Sequence, residues 1–238
     1  MAVFRSTRLL AIGLALIGGA QGQKPLAPWE AEIAAFEARD RETRPAKGAV
    51  LFLGSSSIGG WSTLVTDFPE QRVLNRGFGG SQIADSTHFA ARIIFPYQPR
   101  MIVLYAGGND IAVGKPAEEV FADFRKFVAT VRARLPKVTI AYISIAGNPA
   151  RWAQVEKVKA ANELIAGFAK ETPKTKFIDV FSAMLGEDGL PRPEIFSDDG
   201  LHMNAEGYRL WTKIVAPYLR TPAPAVKARQ RSKKARRS

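Results

Sequence analysis

Five short apolar runs, at residues 49–53, 72–75, 101–105, 138–143 and 176–180, alternate along this chain with segments whose apolar residues recur at helical spacing. Each run is about five residues long, rich in Val, Ile, Leu or Phe, and polar only at its borders. Strands buried on both faces have this character. Between the runs, Val120, Phe121, Phe124, Phe127, Val128, Val131 and Leu135 form one helical stripe, opened by Pro116, Glu118 and Glu119 and closed by Pro136. Val155, Val158, Ile165 and Phe168 form a second. Tyr208, Trp211, Ile214, Val215 and Tyr218 form a third, with Asn204 as its N-cap. A further helix is predicted over 82–95, and Trp29, Ile33 and Phe36 mark a leading helix laid against the outside of the domain. This alternation places the chain in the α/β class, as a single three-layer α/β/α domain built on a doubly wound parallel sheet of about five strands. In such a sheet the ligand site lies at the carboxyl ends of the strands.

The ends of the chain read differently from this body. Arg5 and Arg8 precede a 12-residue apolar stretch over 9–20, and small residues follow at Gly19, Ala20 and Gly22. A membrane-spanning helix needs about 20 apolar residues. The shorter run fits a cleavable signal peptide over 1–22, and so an exported protein, periplasmic or secreted. The domain is then expected over 23–220. Residues 221–238 begin Thr-Pro-Ala-Pro-Ala and carry seven Lys and Arg with no acid, so a disordered, solvated tail is expected there. Contact with anionic envelope surfaces is the functional alternative for it. The net charge of +12 is concentrated at these ends: without Arg5, Arg8 and the seven tail cations, the remainder carries +3. No specific nucleic-acid partner follows from so mild an excess. The chain has no cysteine and two histidines, which excludes a disulfide scaffold, a thiolate nucleophile and any cysteine-ligated or three-histidine metal site. No cofactor or metal is expected.

Three polar, glycine-rich segments follow predicted strands, and a fourth precedes the last helix. They are Gly54-Ser55-Ser56-Ser57, Gly77-Phe78-Gly79-Gly80, Gly107-Gly108-Asn109-Asp110 and Asp199-Gly200-Leu201-His202. Singly, each is ordinary cap or turn composition. Together they supply the parts of an acyl-transfer site. A serine hydroxyl needs a base that titrates near neutrality, and His202 is the histidine with a carboxylate at suitable spacing. Asp199 can reach its Nδ1, fix the tautomer and stabilise the imidazolium. The backbone N–H groups of Ser56 and Gly80 and the side-chain amide of Asn109 can serve as oxyanion donors. His88 falls in the predicted helix over 82–95 with no carboxylate at triad spacing, and is read as structural.

The four segments resemble, in order, the sequence blocks of the SGNH hydrolase superfamily, the GDSL-type esterases and lipases. Gly54-Ser55-Ser56 is similar to the Gly-Asp-Ser-like first block and implies Ser56 as nucleophile, with Ser55 and Ser57 as its rivals. Asn75-Arg76-Gly77-Phe78-Gly79-Gly80 is similar to the second block and implies Gly80 as an oxyanion donor. Gly107-Gly108-Asn109-Asp110 implies Asn109 in the same role. Asp199-Gly200-Leu201-His202 completes the set, with Asp198 the rival to Asp199. Ser55 stands where the family usually has Asp. The resemblance spans residues 54 to 202 and implies a flavodoxin-like sheet order.

The function so implied is a metal-independent, exported serine esterase acting on a small-molecule or carbohydrate ester, with short acyl groups such as acetyl favoured because no long apolar lid segment is visible. Its activity is expected to fall below about pH 6–7 as the histidine protonates. The alternatives are a lysophospholipase- or thioesterase-type acyl hydrolase, and a non-catalytic envelope-binding protein on the same fold. The sequence leaves the oligomeric state open.

Overall fold

The computed structural model describes residues 29–220. The expected signal peptide over 1–22 and the basic tail over 221–238 lie outside the described residues. Within them the chain alternates helix and strand. Helix α1 (Glu30–Glu42) precedes β1 (Val50–Gly54), which runs into the short helices α2 (Ser56–Gly59) and α3 (Leu64–Asp67). After β2 (Val73–Gly77) come α4 (Ile83–His88) and α5 (Ala90–Ile93). Then β3 (Met101–Tyr105) leads to α6 (Gly108–Ala112) and α7 (Ala117–Arg134). The chain ends with β4 (Thr139–Ile143), α8 (Val155–Glu171), β5 (Thr175–Ile178) and α9 (Ala205–Leu219).

All five strands are parallel, in the order β2-β1-β3-β4-β5. β1, β3 and β4 consist almost wholly of buried residues, which explains their unbroken apolar runs. Successive side chains point to opposite faces, so one core contains Leu51, Leu53, Ile102, Leu104, Ile140 and Tyr142 and the other Val50, Phe52, Met101, Val103, Ala141 and Ile143. α1 enters the first core through Ile33 and Phe36, joined by the buried stripes of α7 and α8, while Trp211, Val215 and Leu219 of α9 enter the second. The helices thus cover both faces of the sheet. The three helical stripes and the leading helix occur where the spacing places them. Asn204 caps α9, its side-chain oxygen accepting from the N–H groups of Glu206 and Gly207.

One element departs from expectation. The helix predicted over 82–95 is broken into α4 and α5 by Phe89, whose ψ of 5° is not helical, and Phe95–Tyr97 closes the segment as a 3₁₀ turn. Thr87 hydrogen-bonds back to the Ile83 carbonyl, a contact that competes with regular helix. The break brings Phe89 into the core, edge-on to Phe78 at 6.1 Å. Pro96 then bars further α-helix.

The register matters for function. Gly54, the last residue of β1, pairs with Gly77 at the end of β2 and with Tyr105 at the end of β3. The three glycine-rich segments therefore leave the sheet side by side, where the strand order changes direction between β1 and β3. That switch point is where this architecture opens a crevice.

Candidate active site

Ser56 is the first residue of α2, and the chain turns sharply to put it there. Gly54 has φ +133°, and a Cβ on it would lie 1.8 Å from the Tyr105 carbonyl oxygen, so no other residue fits without moving β3. The Ser55 N–H donates to that same oxygen at 2.9 Å. Ser55 and Ser57 are buried, whereas Ser56 is partly open to solvent. Of the three serines, Ser56 is the one whose Oγ meets His202, at 2.9 Å from Nε2.

His202 lies on the loop before α9, and Asp199 shapes that loop. One carboxylate oxygen of Asp199 accepts the N–H groups of Leu201 and His202, each at 2.9 Å. The other lies 2.6 Å from His202 Nδ1. Gly200 makes the turn possible with φ +61°. Its hydrogen bonds, above all that with the His202 ring, hold the Asp199 carboxyl down to about 2. A carboxylate at Nδ1 keeps that nitrogen protonated and leaves Nε2 free to accept from a hydroxyl. Asp198 makes no hydrogen bond to the ring. Both side chains of the pair stay accessible, His202 at 41% and Asp199 at 48% exposure.

The proposed oxyanion donors border the same crevice. Gly80, with φ +73°, is exposed, and neither its N–H nor that of Ser56 donates to another described residue. The Gly79–Gly80 peptide is held from its other side, where the Trp29 indole N–H donates to the Gly79 carbonyl at 2.6 Å. Asn109, on α6, donates from Nδ2 to the Ser81 carbonyl at 3.0 Å, and its Oδ1 accepts from Arg151 Nη1, also at 3.0 Å. The Ser81 hydroxyl is within hydrogen-bonding distance of the carbonyls of Gly54 and Phe78, which joins the ends of β1 and β2 beneath the site. Behind Asn109, Asp110 is fully buried against Lys115 and the Ile83 N–H, and burial raises its pKa.

Two contributors were not read from the sequence as site residues. Trp29 was assigned to the apolar stripe that lays the leading helix against the domain, yet its indole reaches Gly79. Arg151 belongs to the 148–152 segment after β4. The strand-end rule that flagged the other segments applies there too, but Asn-Pro-Ala-Arg-Trp has neither glycines nor a nucleophile to draw notice. His88 is exposed at the end of α4, with its ring edge-on to Phe89 at 4.7 Å and away from the triad contacts.

No curated protein matches the sequence significantly. Solved structures match the fold. A Streptococcus pneumonia protein provisionally named a platelet activating factor superposes with a TM-score of 0.71 at 22% identity, over 80% of this chain and 92% of its own. A GDSL-like lipase from Bacteroides thetaiotaomicron gives 0.68 at 20% identity, over 79% and 97%. A carbohydrate esterase family 3 protein from Talaromyces cellulolyticus gives 0.58 at 19% identity, over 72% and 96%. The family match is made by the sequence itself, over residues 47–210, the stretch that carries β1, the four segments and the start of α9. The chain belongs to the GDSL-like lipase/acylhydrolase family, and with it to the ester hydrolases of the SGNH superfamily.

Proposed function

We propose that the protein is an exported serine esterase that removes short acyl groups, such as acetyl, from a polar alcohol or carbohydrate. The observation that carries this reading is the continuous path from Ser56 Oγ through His202 to Asp199, with contacts of 2.9 and 2.6 Å. Ser56 Oγ attacks the ester carbonyl while His202 Nε2 takes its proton. The oxyanion of the tetrahedral intermediate is met by the N–H groups of Ser56 and Gly80 and by Asn109 Nδ2. Collapse expels the alcohol, which receives the proton from His202 and leaves an acyl group on Ser56. Water, deprotonated by the same imidazole, then releases the acid and restores the serine.

With His202 and Asp199 nearly half exposed, the alcohol side of a substrate can remain in solvent, as a bulky or polymeric alcohol requires. The space bounded by Gly108, Ile111, Ile145, Ala146 and Trp152, next to Asn109 in the chain, is nearly filled by its own side chains and offers no channel for a long acyl group. The fold accommodates carbohydrate esters in the family 3 esterases that share it. Export rests on the 1–22 segment of the sequence.

Hydrolysis of p-nitrophenyl esters from acetate to palmitate, with Ser56→Ala beside the parent chain, tests this reading. The parent is expected to prefer acetate, and the variant to lose roughly 10⁴-fold or more of the rate. Full activity in Ser56→Ala would reassign the nucleophile, and a preference for palmitate would refute the short-acyl assignment.

A further inference from the structure

Asn109 is gripped at both ends of its amide by groups that allow it one orientation. A backbone carbonyl only accepts, so the Ser81 oxygen at 3.0 Å must face Nδ2. A guanidinium only donates, so Arg151 Nη1 at 3.0 Å must face Oδ1. A flipped amide would oppose two acceptors at Ser81 and two donors at Arg151. The same Nη1 donates to the Gly108 carbonyl at 3.1 Å, so one nitrogen of Arg151 secures both the Asn109 side chain and the backbone just before it. The second Nδ2 hydrogen is left free for a substrate oxygen.

Arg151 is itself held in place. Asn148 accepts the Arg151 N–H on its side chain at 3.0 Å. The neighbouring Ala150 N–H donates to the Gly200 carbonyl at 3.1 Å, within the turn that carries Asp199 and His202. The segment after β4 therefore touches the oxyanion side and the base side of the site together. A cation at Oδ1 also polarises the amide and makes its N–H a stronger donor, because hydrogen bonds in a chain reinforce one another and charged partners reinforce them most.

We propose that Arg151 is a positioning residue of this esterase: it orients and polarises the Asn109 amide so that Nδ2 meets the developing oxyanion. The proposal rests on the reading of Ser56 as nucleophile and Asn109 as oxyanion donor. Loss of an oxyanion donor costs about 10²–10³ in kcat, and that loss is the ceiling for a residue acting only through Asn109.

A double-mutant cycle on the full chain tests it, with p-nitrophenyl acetate as substrate and Arg151→Ala, Arg151→Lys, Asn109→Ala and the Arg151→Ala/Asn109→Ala pair as variants. Arg151→Ala is expected to lower kcat about 10-fold or more with KM changed less than about twofold. Arg151→Lys should recover part of that loss, since an ammonium can donate to the same oxygens. In the Asn109→Ala background, Arg151→Ala should cost less than about twofold, the non-additivity of a residue that works through its neighbour. Additive losses, or a raised KM at unchanged kcat, would overturn the proposal while Ser56→Ala remained inactive and the serine mechanism stood. A parent chain inert to every ester would overturn that mechanism and this inference with it. Should Arg151→Ala fail to fold, the same comparison made with Arg151→Lys decides, since a lysine that alters KM alone contradicts the positioning role.

Discussion

Asp199 serves the site with each of its two oxygens, and this fixes how the site responds to acid. One oxygen builds the turn by accepting two backbone N–H groups, and the other holds the imidazole. Every one of these bonds favours the ionised carboxylate, and together they bring its pKa down to about 2. A lowered carboxyl pKa means that Asp199 stays charged as the pH falls, and that the stability it lends is present above the unfolded carboxyl's range and disappears only as the pH drops through about 2. A rate that declines on mild acidification would therefore report loss of the proposed general base and not protonation of Asp199. Plotted as the logarithm of kcat/KM against pH, the acid limb should have a slope of about 1 down to roughly pH 3. A slope approaching 2 would show a second group in the site titrating alongside the proposed base, contrary to the geometry around Asp199.

At the scale of elements, the start of α1 does more than cover the sheet. Trp29 packs edge-on against Phe78 at 6.1 Å and donates its indole N–H to the Gly79 carbonyl, so a residue 51 positions before Gly80 fixes the peptide plane that presents the Gly80 N–H. Because a peptide is planar, holding its oxygen also aims its N–H. Trp29→Phe keeps an aromatic ring against Phe78 and removes only the donor. A neutral hydrogen bond is worth about 0.5–1.5 kcal/mol, so kcat is expected to fall roughly 2- to 12-fold, with the thermal midpoint lowered by no more than a few degrees. A lowered thermal midpoint with kcat unchanged would show that the indole serves the packing of α1 alone. The contact was invisible in the sequence because the spacing of Trp29, Ile33 and Phe36 encodes a helix face, and Ile33 and Phe36 do enter the core. A side chain at the helix's first turn can leave that face, and no local pattern marks where it goes. The break at Phe89 was hidden for a similar reason, since its cause is the pull of Phe89 into the core beside Phe78, a tertiary contact that overrides an otherwise acceptable helical segment.

Across the whole molecule, what could be read in advance was what repeats or what chemistry demands. Buried parallel strands must be apolar along their length, so β1, β3 and β4 announced themselves, and the level ends of β1, β2 and β3 explain why motifs far apart in sequence share one crevice. The Ser56, Asp199 and His202 contacts were legible as a set because an acyl-transfer site needs those residue types at strand and helix ends. Arg151 was not, because an arginine that steadies an amide has the same appearance in sequence as any surface arginine. Charge is distributed on another plan. Seven of the chain's 34 Lys and Arg residues lie in 221–238, while every group of the proposed mechanism lies between Ser56 and His202. The last described contact before that segment is at the opposite end of the sheet, where Arg100, just before β3, donates to the Leu219 carbonyl at 3.0 Å. Catalysis and polyanion attraction should therefore separate. Removal of residues 221–238 is expected to leave kcat and KM on p-nitrophenyl acetate within about twofold of the full chain. The same truncation should abolish most binding to anionic vesicles or heparin, which in the full chain should weaken as salt shortens the reach of surface charge to about 8 Å at physiological ionic strength. Loss of esterase activity in the truncated chain, with its fold intact by circular dichroism, would show that the basic segment takes part in the reaction.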